Sequence, residues 1–254
     1  MLIDVHCHLN LYLNLDGVIN EANQVGVKKI IAVAMSALSQ KRILEIAEEF
    51  DSVYPALGIH PEEVEMNKNI ETELESISDL IISNQSHLCA IGEIGMDHYF
   101  IKNKDLYPLQ TKIFTLMLSL AQKLNLPINL HSKGAEKLIF EMLPSYKVPN
   151  VNIHWYSGPE KYIKLGLDRG YYFSVTPAVK YSPAMKKTAT LVDLDHLLLE
   201  SDGPVKFHGK AGTPTMVKEV LNELAIIKKE DVKKIEEKIW ENTLIVFPRI
   251  HKPK

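Results

Sequence analysis

At 254 residues with 46% hydrophobic content, the chain can bury a full core and has the length of one α/β barrel. A net charge of −3 provides no global basic field, so any hold on a polyanion must rest on a local patch. Cys7 and Cys89, the two cysteines, are too few for a disulfide framework, and no apolar run approaches the ~18 to 20 residues that span a bilayer. The first residues show no charged leader ahead of a long apolar stretch, so the expectation is a cytoplasmic protein of one domain, 1–254, without membrane contact.

The first strand is expected over 1–8 and carries His6 and His8 two positions apart. Side chains alternate faces along a strand, so both imidazoles point one way and Cys7 the other. Two imidazoles on one face form half of a divalent-metal site, whereas Cys7 reads as a small packed hydrophobe. A short helix follows over 16–26, with Asp16 as candidate N-cap and Gly26 as stop. A buried strand at 29–34 and helical periodicity at 39–50 come next. The third strand, 53–59, runs into His60-Pro61, and an amphipathic helix with an acidic face covers 70–83.

The fourth strand, 88–95, holds Glu93, with Asp97 just beyond it. The segment 106–126 is the strongest helix, with Leu116, Leu120 and Leu124 loading one face before Pro127 stops it. Residues 128–130 lead as a strand into His131-Ser132-Lys133, and 134–143 is helical. Residues 151–153 lead into His154, 159–168 is a helix with proline near its start, and 171–175 and 197–202 are the last two strands. Helices at 215–227 and 231–240 close the chain.

Eight strand candidates, most followed by a helix, argue a parallel sheet, and eight such units in this length argue a closed (β/α)8 barrel. Functional groups in such barrels gather at the C-terminal ends of the strands. His6, His8, His60, Glu93, His131, His154 and Asp202 all fall there, so five of the ten histidines share one rim. Four imidazoles (His6, His8, His131 and His154) and two carboxylates (Glu93 and Asp202), without a thiolate, suit zinc, manganese or iron, and magnesium where carboxylate and water dominate. Six donors exceed what one catalytic ion uses, whereas two ions sharing a carboxylate use them all. Glu93, halfway round the barrel, is the natural bridge, and ions ~3.5–4 Å apart clamp both oxygens of an in-line displacement. His60, before a proline, reads as a support to the ligands or a substrate contact rather than as a ligand itself. Asp97 is either a cap or a site residue, and Glu200 either a rim ion-pair partner or a site residue.

Taken together, His6-x-His8, Gly58-Ile59-His60-Pro61, Gly92-Glu93-Ile94-Gly95-Met96-Asp97, His131-Ser132-Lys133, His154 before Ser157-Gly158, and Glu200-Ser201-Asp202 resemble the TatD family of metal-dependent deoxyribonucleases, an amidohydrolase-like barrel family. Gln110, Phe114 and Leu118, together with Glu241-Asn242-Thr243 and Phe247, extend the likeness over essentially the whole chain. The resemblance implies that His6, His8 and Asp202 hold one ion and His131 and His154 a second, with Glu93 bridging. It also implies that Asp202 takes the proton of the attacking water, and that DNA is the substrate. Lys133 stands where the family usually has arginine, offering a point charge and no bidentate fork. The loop Val205–Pro214 lacks the tyrosine and arginines usual there.

Lys133 is therefore expected to touch a phosphate, and Tyr156, two positions beyond His154, to offer a ring for base stacking. Lys206 and Lys210 are expected on the same rim. Two divalent ions (Mg, Mn or Zn) are the expected cofactors, and nothing points to an obligate protein partner. An ester, amide or lactone hydrolase on the same centre, and a non-catalytic metal-binding protein, are the alternatives.

Overall fold

The computed structural model describes residues 1–251. Eight strands form one parallel sheet in strictly sequential order: β1 (Leu2–Cys7), β2 (Val27–Val33), β3 (Val53–Leu57), β4 (Ala90–Gly95), β5 (Ile128–His131), β6 (Val151–Ile153), β7 (Tyr172–Val175) and β8 (Leu197–Leu199). β8 meets β1 through hydrogen bonds just past its end, Asp202 N–H to the His6 carbonyl at 2.9 Å and His8 N–H to the Gly203 carbonyl at 2.8 Å. The buried Asp4 carboxylate adds a staple across this seam, accepting from the Ser201 N–H at 2.9 Å and the Ser201 hydroxyl at 2.6 Å. The result is the expected (β/α)8 barrel.

The helices are α1 (Leu15–Gln24), α2 (Ala37–Glu49), α3 (Glu63–Met66), α4 (Ile70–Ser83), α5 (Tyr107–Leu124), α6 (Glu136–Met142), α7 (Glu160–Asp168), α8 (Pro183–Leu191), α9 (Val217–Lys228) and α10 (Val232–Val246). Several ends differ from expectation for local reasons. α1 is capped by Asn14, whose side chain accepts from Gly17 N–H, while Asp16 lies inside the first turn. Gly26 does follow the helix end, at φ +97°. In α5 the buried face centres on Phe114, Met117, Leu118 and Ala121, with Leu116 only half-buried. α10 runs past Trp240 because Asn242 is buried and donates to the carbonyls of Leu194 and Leu197.

Two apolar layers hold the barrel. The larger lies between strands and helices and includes Ile30, Ile91, Leu130, Phe173 and Leu199. The smaller gathers Ile3, Val5, Ile31, Tyr54, Ala90 and Leu198 with Val246, Phe247 and Ile250. These come from six of the eight strands and from the end of the chain. Besides the rim groups, the strands bury the polar side chains of Asp4, Asn129, Asn152 and Ser174.

A candidate metal centre at the C-terminal rim

β1 brings its two histidines to the rim by way of an irregularity. Asp4 pairs with Ile30 and Cys7 with Ala32, so β1 spends three steps where β2 spends two. Cys7 consequently packs in the outer layer, while His6 and His8 turn together with their Nε2 atoms 3.4 Å apart. Glu93 enters from β4, Asp202 from the turn after β8, and both carboxylates are almost fully buried.

The two β1 histidines draw close to both carboxylates. His6 Nε2 lies 3.3 Å from Glu93 Oε2 and 3.5 Å from Asp202 Oδ1, and His8 Nε2 lies 3.6 and 3.4 Å from the same two oxygens. A tetrahedron with arms of about 2.0–2.1 Å has edges of about 3.3–3.4 Å. The three edges of the His6–His8–Glu93 trio match that figure to within about 0.3 Å, as do the distances from the two histidines to Asp202 Oδ1.

The second oxygen of Glu93 faces a different set. Oε1 lies 3.0 Å from His131 Nδ1, 3.5 Å from His60 Nε2 and 3.7 Å from His154 Nε2. His60 Nε2 is also 3.3 Å from His131 Nδ1, so the buried His60 stands beside this second cluster, a closer approach than a loop contact. One carboxylate thus touches two groups of imidazoles, one through each oxygen.

The back sides of these imidazoles are tied down. His6 Nδ1 donates to Asn129 Oδ1 at 3.0 Å, and the Asn129 amide is itself fixed to the Val5 carbonyl at 2.8 Å. His154 Nδ1 donates to Glu200 Oε1 at 2.9 Å, and His131 Nε2 lies 2.8 Å from Asp97 Oδ2. Each ring therefore keeps its other nitrogen for the centre, which is how metal-ligating histidines are oriented. Asp97 and Glu200 each hold a histidine, and Asp97 also caps the turn after β4 by accepting from Tyr99 and Phe100 N–H.

Electrostatics follow from this crowding. Burial alone would lower the imidazoles, but Glu93 and Asp202 hold His6 up at about 10, and Asp97 with Glu93 holds His131 up at about 9. Burial and the neighbouring charge of His6, stacked 3.7 Å away, push His154 well down. Burial would raise Glu93, yet the charges of His60 and His6 outweigh it and keep that carboxyl well below its ordinary range. Glu200 is pushed up to about 7, by burial. Trp155 and Asp202 adopt left-handed backbone, φ +38° and +47°, conformations uncommon for such residues and typical of strained sites.

The sequence profile described as TatD related DNase matches residues 3–248. The chain belongs to the TatD family. It is 34% identical to an uncharacterized metal-dependent hydrolase of Methanocaldococcus jannaschii, over 97% of each chain. It is 28% identical to the human deoxyribonuclease TATDN3, over 98% of this chain and 95% of that one. Its fold matches the crystal structure of YjjV, a TatD homolog of Escherichia coli, with a TM-score of 0.89 and 26% identity over 97% and 98% of the two chains. This chain is thus a metal-dependent hydrolase of the TatD family.

The TatD centre opens into a cavity of about 490 Å3 lined by His8, His60, Glu93, His131, His154 and Asp202. Lys133 lines it too, half-buried, with Nζ hydrogen-bonded to the Ser157 hydroxyl. Tyr156 does not reach it. The side chain is only 1% exposed, its ring packs against Phe173 and its hydroxyl donates to the Pro159 carbonyl at 2.8 Å. The strand ends at Ile153 and the left-handed Trp155 turns the chain, so alternation from His154 no longer applies. Tyr156 is a core residue, and the expectation of a stacking ring there is corrected. Lys206 and Lys210 sit exposed in a two-stranded hairpin, β9 (Lys206–Phe207) and β10 (Lys210–Ala211), outside the cavity lining. Among the described residues, no helix is long and apolar enough to cross a membrane.

Proposed function

We propose that this chain is a two-metal phosphodiesterase that hydrolyses DNA. The reading rests on one observation above others: the two oxygens of Glu93 face separate imidazole groups, Oε2 towards His6 and His8, Oε1 towards His131, His60 and His154. That is the arrangement a bridging carboxylate needs. His6, His8 and Asp202 would hold one ion and His131 and His154 the other, with His60 beside the second. The deoxyribonuclease name of the human relative supports DNA as substrate.

Two ions, if held there, would supply Lewis-acid polarisation of the phosphoryl oxygens and would make water acidic enough to attack near neutral pH. The chain's own residues do the rest. Asp202 turns Oδ1 to the histidines of β1 and leaves Oδ2 4.0 Å from His154 Nε2, so Oδ2 is placed to accept the proton of the attacking water. As the water oxygen joins phosphorus and the P–O ester bond breaks, Asp202 returns that proton to the leaving oxygen. Lys133 meets the phosphate as a point charge. Glu62 and Glu136 also line the cavity and repel a long polyanion, so the grip is confined to one or two phosphates. Those carboxylates equally favour a second reading, hydrolysis of a small ester or lactone on the same centre.

Metal-reconstituted protein assayed on labelled single- and double-stranded DNA, beside ester and lactone panels, separates the two. DNA cleavage that saturates at two ions per chain is expected. Activity confined to esters, or complete with one ion, overturns the reading.

A further inference from the structure

With Tyr156 in the core, the rim must present a base differently, and the segment after β4 has the features for it. Phe100 is 61% exposed and Tyr99 54% exposed, although their flanks, Asp97 and Ile101, are buried. The backbone beneath them is pinned. The Asp97 carboxylate accepts from Tyr99 N–H at 2.8 Å and from Phe100 N–H at 2.6 Å, and His98 N–H donates to the Lys133 carbonyl at 2.9 Å. Gly134, at φ +71°, lets this segment sit close, since a Cβ there would come within 2.9 Å of the Tyr99 nitrogen. Two aromatic rings are therefore held in water by a rigid loop.

Their surroundings differ. Tyr99 carries cations, with Lys102 Nζ 4.8 Å and Lys133 Nζ 5.6 Å from its ring centre. Phe100 stands edge to face with Tyr99 at 4.9 Å and lines the same cavity as Glu93, His131 and Lys133. We propose that Phe100 is the stacking surface for the nucleobase beside the scissile phosphate, with Tyr99 bracing it and Lys133 and Lys102 facing the phosphates. This rests on the phosphodiesterase reading and adds to it the residue that recognises a base. A stacking face reads no base edge, so the contact is indifferent to sequence. It also needs the base unpaired.

The test compares wild type, Phe100→Ala and Phe100→Trp on two labelled single-stranded oligonucleotides, one intact and one abasic at the nucleotide beside the cleaved bond. Stacking of one base on one ring predicts a rise in KM of roughly 5- to 150-fold for Phe100→Ala on the intact strand. kcat should move less, Phe100→Trp should restore KM, and the abasic strand should narrow the gap between wild type and Phe100→Ala. An unchanged KM in Phe100→Ala, or the same loss on both strands, overturns the stacking role while leaving the nuclease reading standing. A wild-type protein that cleaves neither strand yet hydrolyses esters overturns both.

Discussion

Asp97 Oδ2 lies 2.8 Å from His131 Nε2, while the opposite nitrogen of that ring is 3.0 Å from Glu93 Oε1. Asp97 thereby decides which nitrogen of His131 faces the centre. Removing such a partner typically costs 10- to 100-fold in metal affinity. Asp97→Asn is expected to weaken one of two binding events by about that factor and to spare the His6–His8 event. Calorimetric titration with zinc or manganese shows this as two separating steps, and two equally weakened steps would contradict it.

Glu93 and Asp202 should fail differently. Glu93→Ala removes the carboxylate that faces the β1 histidines with one oxygen and His131 with the other, so the protein is expected to lose both ions and all turnover while keeping its fold. Asp202→Asn keeps the side-chain shape and an oxygen donor but removes the proton acceptor. It is expected to retain more metal and to lose turnover nearly as completely. Elemental analysis beside single-turnover assays distinguishes the two, and near-normal turnover in Asp202→Asn at saturating metal would remove its role as base.

The pH dependence follows from His6 and His131. Their folded values, about 10 and about 9, lie above the ordinary imidazole value of 6.5. In the ion-free protein the stabilisation from these raised groups is fully present below about 6.5 and is lost as pH climbs through 9 to 10. The melting temperature of chelator-treated protein should fall over that window. An ion must displace both protons, so metal affinity rises with pH and binding near pH 8 releases up to two protons. Calorimetry in buffers of different ionisation enthalpy counts them, and a proton-free binding event would contradict the assignment.

The order of eight strands was legible because each is a short apolar run ending in a histidine, a carboxylate or a turn, and the rim followed from where those runs stop. Alternation gave His6 and His8 a common face, although the irregularity in β1 that accompanies it leaves no mark in the sequence. Asn129 carries a weaker signal: a polar residue two before a rim histidine shares its face, as Asn129 does with His131. α8 leaves little periodic signal because it buries only Met185, Thr188 and Ala189, too few for a visible stripe among its lysines and threonines. Tyr156 departs from the pattern because periodicity counted from His154 fails once the strand has ended at Ile153.

That relocation carries its own prediction. Tyr156→Ala removes a side chain packed on Phe173 and hydrogen-bonded to Pro159. A cost of about 3–5 kcal/mol in stability is expected, as for other large buried aromatics. Any loss of activity should track unfolding. Activity measured well below the melting temperature is expected to be near that of wild type, whereas a selective rise in KM at full folding would return Tyr156 to the substrate.

Lys133 is the hold on charge inside the cavity. Among the described lysines it alone lines the cavity, its ammonium held between the Ser157 hydroxyl and the Tyr99 ring. Burial lowers its pKa. A bound phosphate would oppose that effect and favour the charged form. Each phosphate contact on a single strand contributes roughly −0.7 to the slope of log K against log salt. With Glu62 and Glu136 in the same wall, the wild-type slope should be shallow, on the order of one to two contacts. Lys133→Ala should flatten it by about 0.7, and Lys206→Ala or Lys210→Ala, in the outlying hairpin, should leave it where it was. Binding measured at several salt concentrations checks this. A steep wild-type slope that falls only in the hairpin variants would move the phosphate grip from the cavity to β9 and β10.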